Sequence, residues 1–469
     1  MTVGASDATS GIPQIVEARA LPLGRLPFAF GQRFIVALVL GLAWLAPAWW
    51  SMKFVVAMFF WDALIVAAWL FDFSRLPRPR QITVRRVWSS QPALGVSSRI
   101  GIQIAGDSPR LLYIAALDET PLALAGHPPD LAAVVPPRGT TDISYPILPS
   151  QRGVTRVGRV FLRYRSTLGL AERRAVADLA QAVCVLPNIE QARRQTLRLI
   201  RSRQVEIERR RYRQRGMGRE LESLREYREG DDFRDVSWTA TARRRRLITR
   251  VFQMERSQTL WLVLDAGRLL RAKVQELGSA LRLSKLDHAV NAALSLGQVA
   301  MQCGDRVGLL AYGAEIQQSL IPGRGAQHIR SLARALADVL AESHEPNHAR
   351  AVRALLGMQK RRSLIVWITD FAETATVPEV IEYAMQMTPR HLVVFAAMNQ
   401  PELAALAAAT PTSTEEMYRH AAALEICQRR DLLLRRLRER GILAFEWRPW
   451  ELATILINQY LDVKERNLL

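Results

Sequence analysis

Residues 259–265 read TLWLVLD and residues 363–370 read SLIVWITD, two short apolar runs that each end on an aspartate. RVGLLAY (306–312), HLVVFAAM (391–398) and ILAFEW (442–447) share their length and β-branched, aromatic content. Apolar runs this short and continuous are what strands buried on both faces look like. Helix-period stretches at 285–301, 326–342, 349–360 and 415–440 lie between them. Strand and helix in alternation predict a doubly wound α/β sheet over 257–469.

Working outward from those strands, Asp265 and Asp370 stand where an open α/β sheet places its ligand crevice, beyond the carboxyl ends of the strands. They become neighbours if 315–321 supplies the third strand. Two adjacent carboxylates could hold Mg²⁺ through waters, provided hydroxyls or carbonyls complete the shell. Each could equally cap the helix that follows its strand. No Walker loop, GxSxG elbow or HExxH occurs, and seven histidines are scattered. With no nucleophile and base in evidence, the chain reads as a non-enzyme. Cys184, Cys303 and Cys427 form no metal-ligand spacing, which points to a reducing compartment.

Upstream, 82–190 carries short alternating runs such as IGIQI and VGRVFLRY, which predict a small β-sandwich interrupted by a helical stretch at 171–182. Ahead of it, FIVALVLGLAWLAPAWW (34–50) has no charge and FVVAMFFWDALIVAAWLF (54–71) only Asp62. Each run approaches the length of a membrane span, and Ser51, Met52 and Lys53 suit a turn between them, so 31–74 is expected to form a transmembrane helical hairpin after a tail at 1–30. Arg25 and Arg33 precede the pair, while Arg75, Arg78 and Arg80 follow it. Both termini and the bulk of the chain are therefore expected on the cytoplasmic side. Asp62 would cost about 2.5–3.5 kcal/mol in mid-span and should face another helix or water.

A formal charge of +20 asks for an acidic neighbour. The basic linker 191–215 and the cluster Arg243, Arg244, Arg245, Arg246 and Arg250 fit anionic lipid. They lack the interleaved aromatic platforms that nucleic acid would favour.

Between linker and sheet lies 216–256, which contains GRELESLREYREGDDFRDVSWTATARRRRLITRVF (218–252). Its charges are interrupted by Leu221, Leu224, Tyr227, Phe233, Val236 and Trp238, so apolar residues can hold the segment while ions face a partner. The pattern Arg225, Glu226, Tyr227, Gly230, Asp231, Asp232, Arg234, Trp238, Ala242 and Arg243 resembles the signature of the bacterial domain-of-unknown-function family numbered fifty-eight. The resemblance extends to the order of hairpin, sandwich, signature and a von Willebrand factor A-like domain. It implies a bacterial inner-membrane protein that partners a MoxR-type AAA+ ATPase and an unidentified client. It also implies a metal loop of the form Asp-x-Ser-x-Ser. Here Asp265 is followed by Ala266, Gly267, Arg268 and Leu269, and the threonine region reads Glu345, Pro346, Asn347, His348. Both serines are absent and Arg268 could neutralise the two carboxylates, which disfavours Mg²⁺ and leaves a degenerate site with no cofactor.

The chain is thus expected to be a membrane-anchored adaptor that docks through the signature and the α/β domain. Two alternatives are a metal-dependent ligand-binding or hydrolytic protein using Glu226, Glu229, Asp231 and Asp232, and a nucleic-acid binder using the arginine clusters.

Overall fold

A computed structural model of the chain describes residues 15–24, 28–127, 129–188, 220–228, 233, 236–253, 258–275, 282–371, 377–466 and 468, with backbone alone at 48, 125, 220–223, 250–253 and 377–378. The linker 191–215 and Gly230, Asp231, Asp232 and Arg234 lie outside the described residues. The molecule is mixed α/β with several sheets. It divides into two units, Met1–Leu186 and Pro187–Leu469.

In the first unit, β1 (Val16–Arg19), β4 (Ile82–Trp88), β5 (Ser98–Gly106) and β8 (Thr140–Ile147) form one antiparallel sheet in the order β1-β4-β5-β8. The second sheet runs β2-β11-β10-β6-β7. Its strands are β2 (Leu21–Pro22), β6 (Leu112–Asp118), β7 (Asp130–Val135), β10 (Val160–Arg165) and β11 (Ala171–Ala177), and β3 (Phe28–Phe30) also pairs with β11. Along β5 and β6 every second residue is buried, and those inward residues from both sheets share one core. Two expectations change here. The helical stretch at 171–182 is instead strand, β11 followed by β12 (Gln181–Val185), because Ala171, Ala175 and Ala177 fit the tight inner face and cross-strand pairing overrides alanine's helix propensity. The stretch read as a tail supplies β1, β2 and β3, whose pairing partners lie more than fifty residues away in sequence.

Between β3 and β4 the chain leaves this core and returns. The first apolar run yields α1 (Gln32–Gly41), then 3-10 turns at Leu42–Leu45 and Pro47–Trp49. The second yields α2 (Lys53–Arg75), the one helix among the described residues long and apolar enough to cross a membrane. At 1.5 Å per residue α1 is about 15 Å long and α2 about 35 Å. The two pack together: Trp61 Nε1 donates to Ala37 O at 2.9 Å. A side chain on Gly41 would meet Asp62 Oδ1 at 2.7 Å, so Asp62 faces α1, and this oxygen has no protein hydrogen-bond partner. Val56, Phe59, Phe60 and Leu64 remain exposed, unlike the residues of a core helix. The base of α2 is fastened to the sandwich by Asp72, which accepts from Leu170 N at 3.0 Å, Ala171 N at 2.9 Å and Ser166 Oγ.

In the second unit β13 (Glu220–Glu226) and β14 (Ile248–Gln253) pair antiparallel, and α4 (Trp238–Arg244) lies between them in sequence; a short helix, α3 (Leu122–Ala125), precedes it in the sandwich unit. The main sheet follows from β15 (Thr259–Asp265), β18 (Arg306–Tyr312), β19 (Ile316–Gly323), β20 (Leu364–Thr369), β21 (Leu392–Met398) and β22 (Leu443–Trp447), in the order β19-β18-β15-β20-β21-β22. All its pairings are parallel except β18 with β19. Leu260, Leu262 and Leu264 enter one core with α5 (Lys285–Gln302), α6 (Ala326–Ala337) and α11 (Leu452–Glu465). Trp261 and Val263 enter a second with α7 (His348–Met358), α8 (Val377–Met387) and α10 (Thr414–Glu439). The alternation of β side chains therefore accounts for helices on both faces. The strand expected at 315–321 is β19, at one edge, and β15 and β20 are neighbours.

Candidate functional site

Asp265 is the last residue of β15 and Asp370 follows β20, so the two carboxylates meet at the carboxyl edge of adjacent strands, 2% and 4% exposed. Asp265 Oδ1 accepts from Gly267 N at 2.7 Å and Oδ2 from Thr369 Oγ1 at 2.5 Å. Asp370 Oδ1 accepts from Phe371 N at 2.8 Å and Arg430 Nη1 at 3.1 Å. Its Oδ2 accepts from Lys285 Nζ at 2.5 Å, and both side chains of that pair are fully buried.

Local sequence puts the lysine there. Ser284 accepts from Asp287 N at 3.1 Å, and the Asp287 carboxylate accepts from Ser284 N at 3.0 Å, a capping box that starts α5 at Lys285. From that first helical position the lysine side chain carries its ammonium to Asp370. Arg430, on α10, reaches in from the other side: its guanidinium also donates to Met398 O at 2.7 Å, to Glu446 Oε1 at 2.7 Å and to Phe371 O. Burial works against the Arg430 charge, yet Asp370 and Glu446 outweigh it and hold its pKa above the ordinary value. Burial pulls the Lys285 ammonium down, and Asp370 opposes that shift.

Asp265 behaves differently. Burial raises its pKa from 3.8 to about 7, against the hydrogen bonds from Thr369 and Gly267. Lys285 and Arg430 thus pair with Asp370, and Arg430 also with Glu446, while no basic side chain pairs with Asp265 among the described contacts. Beside it Trp367 Nε1 donates to Tyr312 Oη at 2.6 Å, and Tyr312 Oη lies 2.9 Å from His348 Nδ1. Burial lowers His348 to about 4, so the ring is neutral at pH 7 and shares one hydrogen bond with the tyrosine hydroxyl through Nδ1. A shallow pocket lined by Arg268, Glu345, Pro346, His348 and Phe371 opens over Asp370.

A divalent ion at this pair would have to displace the Lys285 ammonium from Asp370, and Mg²⁺ needs oxygens in octahedral array near 2.0–2.1 Å. Ala266, Gly267 and Leu269 offer no side-chain oxygen. Arg268, expected to neutralise the aspartates, instead sits 3.5 Å from Glu345, so Lys285 and Arg430 take that role.

Among the described residues of the charged signature, β13 and β14 form a separate two-stranded sheet. Tyr227 packs on Phe233 with ring centroids 5.5 Å apart, Tyr227 N donates to Leu247 O at 2.9 Å, and Val236 and Ile248 are buried. Arg246 pairs with Glu226 at 2.9 Å with both side chains exposed. Residues 223–418 match the model of a family described as "Protein of unknown function DUF58". The chain carries a DUF58 region.

No curated protein matches the chain. Among solved structures, it is similar to the conserved hypothetical protein BatB from Bacteroides thetaiotaomicron at 13% identity and a TM-score of 0.29, over 45% of this chain and 99% of that one. It is similar to proximal thread matrix protein 1 from the mussel byssus at 8% identity and a TM-score of 0.27, covering 43% of this chain and 45% of that one. It thus spans under half the length of the mussel protein. The PapD-like domain 7 of human CEP192 is matched at 10% identity and a TM-score of 0.17, over 23% of this chain and 86% of the domain.

Within the DUF58 region Arg225, Glu226 and Tyr227 occupy the end of β13 and the residue after it, while Trp238, Ala242 and Arg243 belong to α4. Arg244 ends that helix and Arg245 and Arg246 follow it, Arg245 in the left-handed conformation at φ 53°. Arg250 lies on β14. Asp265, Lys285 and Asp370 fall inside the DUF58 match, whereas Arg430 and Glu446 lie beyond its last residue. Lys285 and Arg430 escaped the reading of the sequence because a lysine opening a helix and one arginine in QRRDLLLRRLRER look solvated. The Ser284–Asp287 cap was the available signal, since it marks where α5 must begin.

Proposed function

We propose that this protein is a membrane-attached, metal-independent adaptor. Its C-terminal unit acts as a doubly wound, von Willebrand factor A-like docking domain, and the signature hairpin beside it in sequence engages a MoxR-type AAA+ ATPase or its client. The observation that carries this reading is the Lys285 ammonium on Asp370. A built-in cation compensates the carboxylate that a metal would otherwise serve, leaving a fixed, ion-paired platform.

The signature supports docking because Phe233 and Trp238 are each 62% exposed amid charges, and exposed aromatics among arginines are the residue types that dominate interfaces. Membrane attachment is supported by chain path. Residues 28–30 and 82–88 pair into the same sandwich unit on either side of α1 and α2, so the apolar excursion must leave and re-enter on one side. A two-pass hairpin is compatible with that path, and the arginines that flank it favour the cytoplasmic face for the sandwich.

The test is capture of a purified MoxR-type ATPase by the detergent-solubilised full chain. Trp238→Ala is expected to weaken binding about thirtyfold, the effect of losing a hot spot of ~2 kcal/mol. Unaltered capture by this variant refutes the hairpin as the docking surface.

A further inference from the structure

The loops at one end of the sandwich form a basic collar around the root of the apolar helices. Register shows which loops these are. Ile82 pairs with Gly106 and Ala105 with Thr140, while Arg165 lies opposite both Glu172 and Tyr113, so the turns at 76–81, 106–111, 136–139 and 166–170 share one end. Asp72 of α2 is bonded to the last of these turns, which puts the helix root at the same end.

That end is crowded with arginine. Arg75 closes α2, with its guanidinium 3.8 Å over Phe71, and Arg110 Nη1 donates to Arg75 O at 3.4 Å. Arg33 Nη1 donates to Thr167 O and Leu168 O, each at 3.1 Å. Arg33 and Arg165 flank Gly169, with their Cδ atoms 3.5 and 3.9 Å from the position its Cβ would take. Arg138 is tied in through its N–H, which donates to Ser108 O at 2.7 Å, and Arg78 follows the helix end. All six are exposed, against a single exposed carboxylate in these four turns, Asp107. At the opposite end of the sandwich exposed Glu119, Asp130 and Asp178 stand with exposed Arg99 and Arg159, so exposed arginine outnumbers exposed carboxylate only at the helix end.

We infer that this collar binds the phosphates of anionic phospholipids and seats the sandwich on the membrane surface. The occupant follows from position and chemistry. Arg75 lies about one helical turn from exposed Leu70 and stacks on exposed Phe71, and exposed Phe30 and Leu168 belong to the same end of the sandwich. Guanidinium groups interleaved with apolar side chains match an interface where headgroup phosphate meets acyl chain. Each such arginine contributes about fivefold to attraction for an anionic leaflet. The inference rests on membrane attachment through α1 and α2, and adds a lipid class to it.

The experiment uses the full chain in nonionic micelles, titrated with phosphatidylglycerol or phosphatidylcholine, with bound phospholipid counted after gel filtration. Wild type is expected to retain phosphatidylglycerol in preference to phosphatidylcholine, in a salt-sensitive manner. The triple variant Arg75→Gln, Arg110→Gln and Arg138→Gln should lose roughly a hundredfold in apparent affinity at about fivefold per arginine, while a control pair at the opposite end, Arg99→Gln and Arg159→Gln, should keep it. An unchanged thermal midpoint shows that the triple variant is folded; if it is not folded, the single variant Arg138→Gln, with a fivefold loss expected, decides. Equal retention of the two lipids by wild type, or full retention by the folded variants, overturns the collar. Alkaline extraction of cell membranes separates the two ideas. Recovery of the chain in the soluble fraction overturns attachment and collar together, whereas a membrane-retained chain indifferent to headgroup charge overturns the collar alone.

Discussion

Replacing Lys285 with Met tests whether the ammonium holds the carboxyl edge of the sheet together. Lys285 and Asp370 are both fully buried, and breaking a pair of that kind costs about 3–5 kcal/mol because a charge is left uncompensated. Asp370 retains Arg430 at 3.1 Å and Phe371 N at 2.8 Å, which sets the expectation at the lower end, about 3 kcal/mol. For a domain of this size that is a drop in midpoint of about 6–12 °C. Hydrogen exchange on peptides from β15 and β20, in the full detergent-solubilised chain, reads the opening free energy of this sheet apart from the other unit. Adding Asp370→Asn should recover part of the loss, since the double variant no longer buries a bare charge. Wild type should show the same exchange in Mg²⁺ and in chelator. A cost below about 1 kcal/mol, or Mg²⁺-dependent protection of the wild type, refutes the lysine-for-metal reasoning.

The same exchange readout follows pH. Asp265 is raised from 3.8 to about 7, so the folded state binds the extra proton and this stability is lost as pH climbs through that window. His348 is lowered from 6.5 to about 4, so its contribution is present above 6.5 and lost as pH falls towards 4. The two slopes oppose each other between about pH 4 and 6.5. Relative to wild type, Asp265→Asn should lose more stability on acidification and His348→Gln less; parallel profiles for the two variants would falsify the assignment. Asp72→Ala removes the acceptor for Leu170 N, Ala171 N and Ser166 Oγ. It should destabilise the sandwich by about 2–3 kcal/mol and speed exchange at 166–171, while an unchanged rate there would mean that the helix root is held by packing alone.

Patterning alone specified the large features. TLWLVLD and SLIVWITD are apolar on both faces, so they had to be inner strands of a layered sheet, and their terminal aspartates had to lie at one edge. The runs at 34–50 and 54–71, which hold one charge between them, similarly read as apolar helical segments, because each is far longer than an ordinary strand. Tertiary structure decided what periodicity cannot carry. Strands β1 to β3 are a few residues long and pair only with partners far along the chain, so nothing local marks them as part of the sandwich. Arginine-rich 171–177 reads as helix until β10 supplies its ladder. The site was half legible: Asp265 and Asp370 could be placed, but their neutralisation by Lys285 and Arg430 depends on side chains from helices 85 and 60 residues from Asp370 converging on one buried carboxylate. A charged residue in a sequence looks solvated by default, and only the packing around it reveals that water has been excluded and another charge has taken its place.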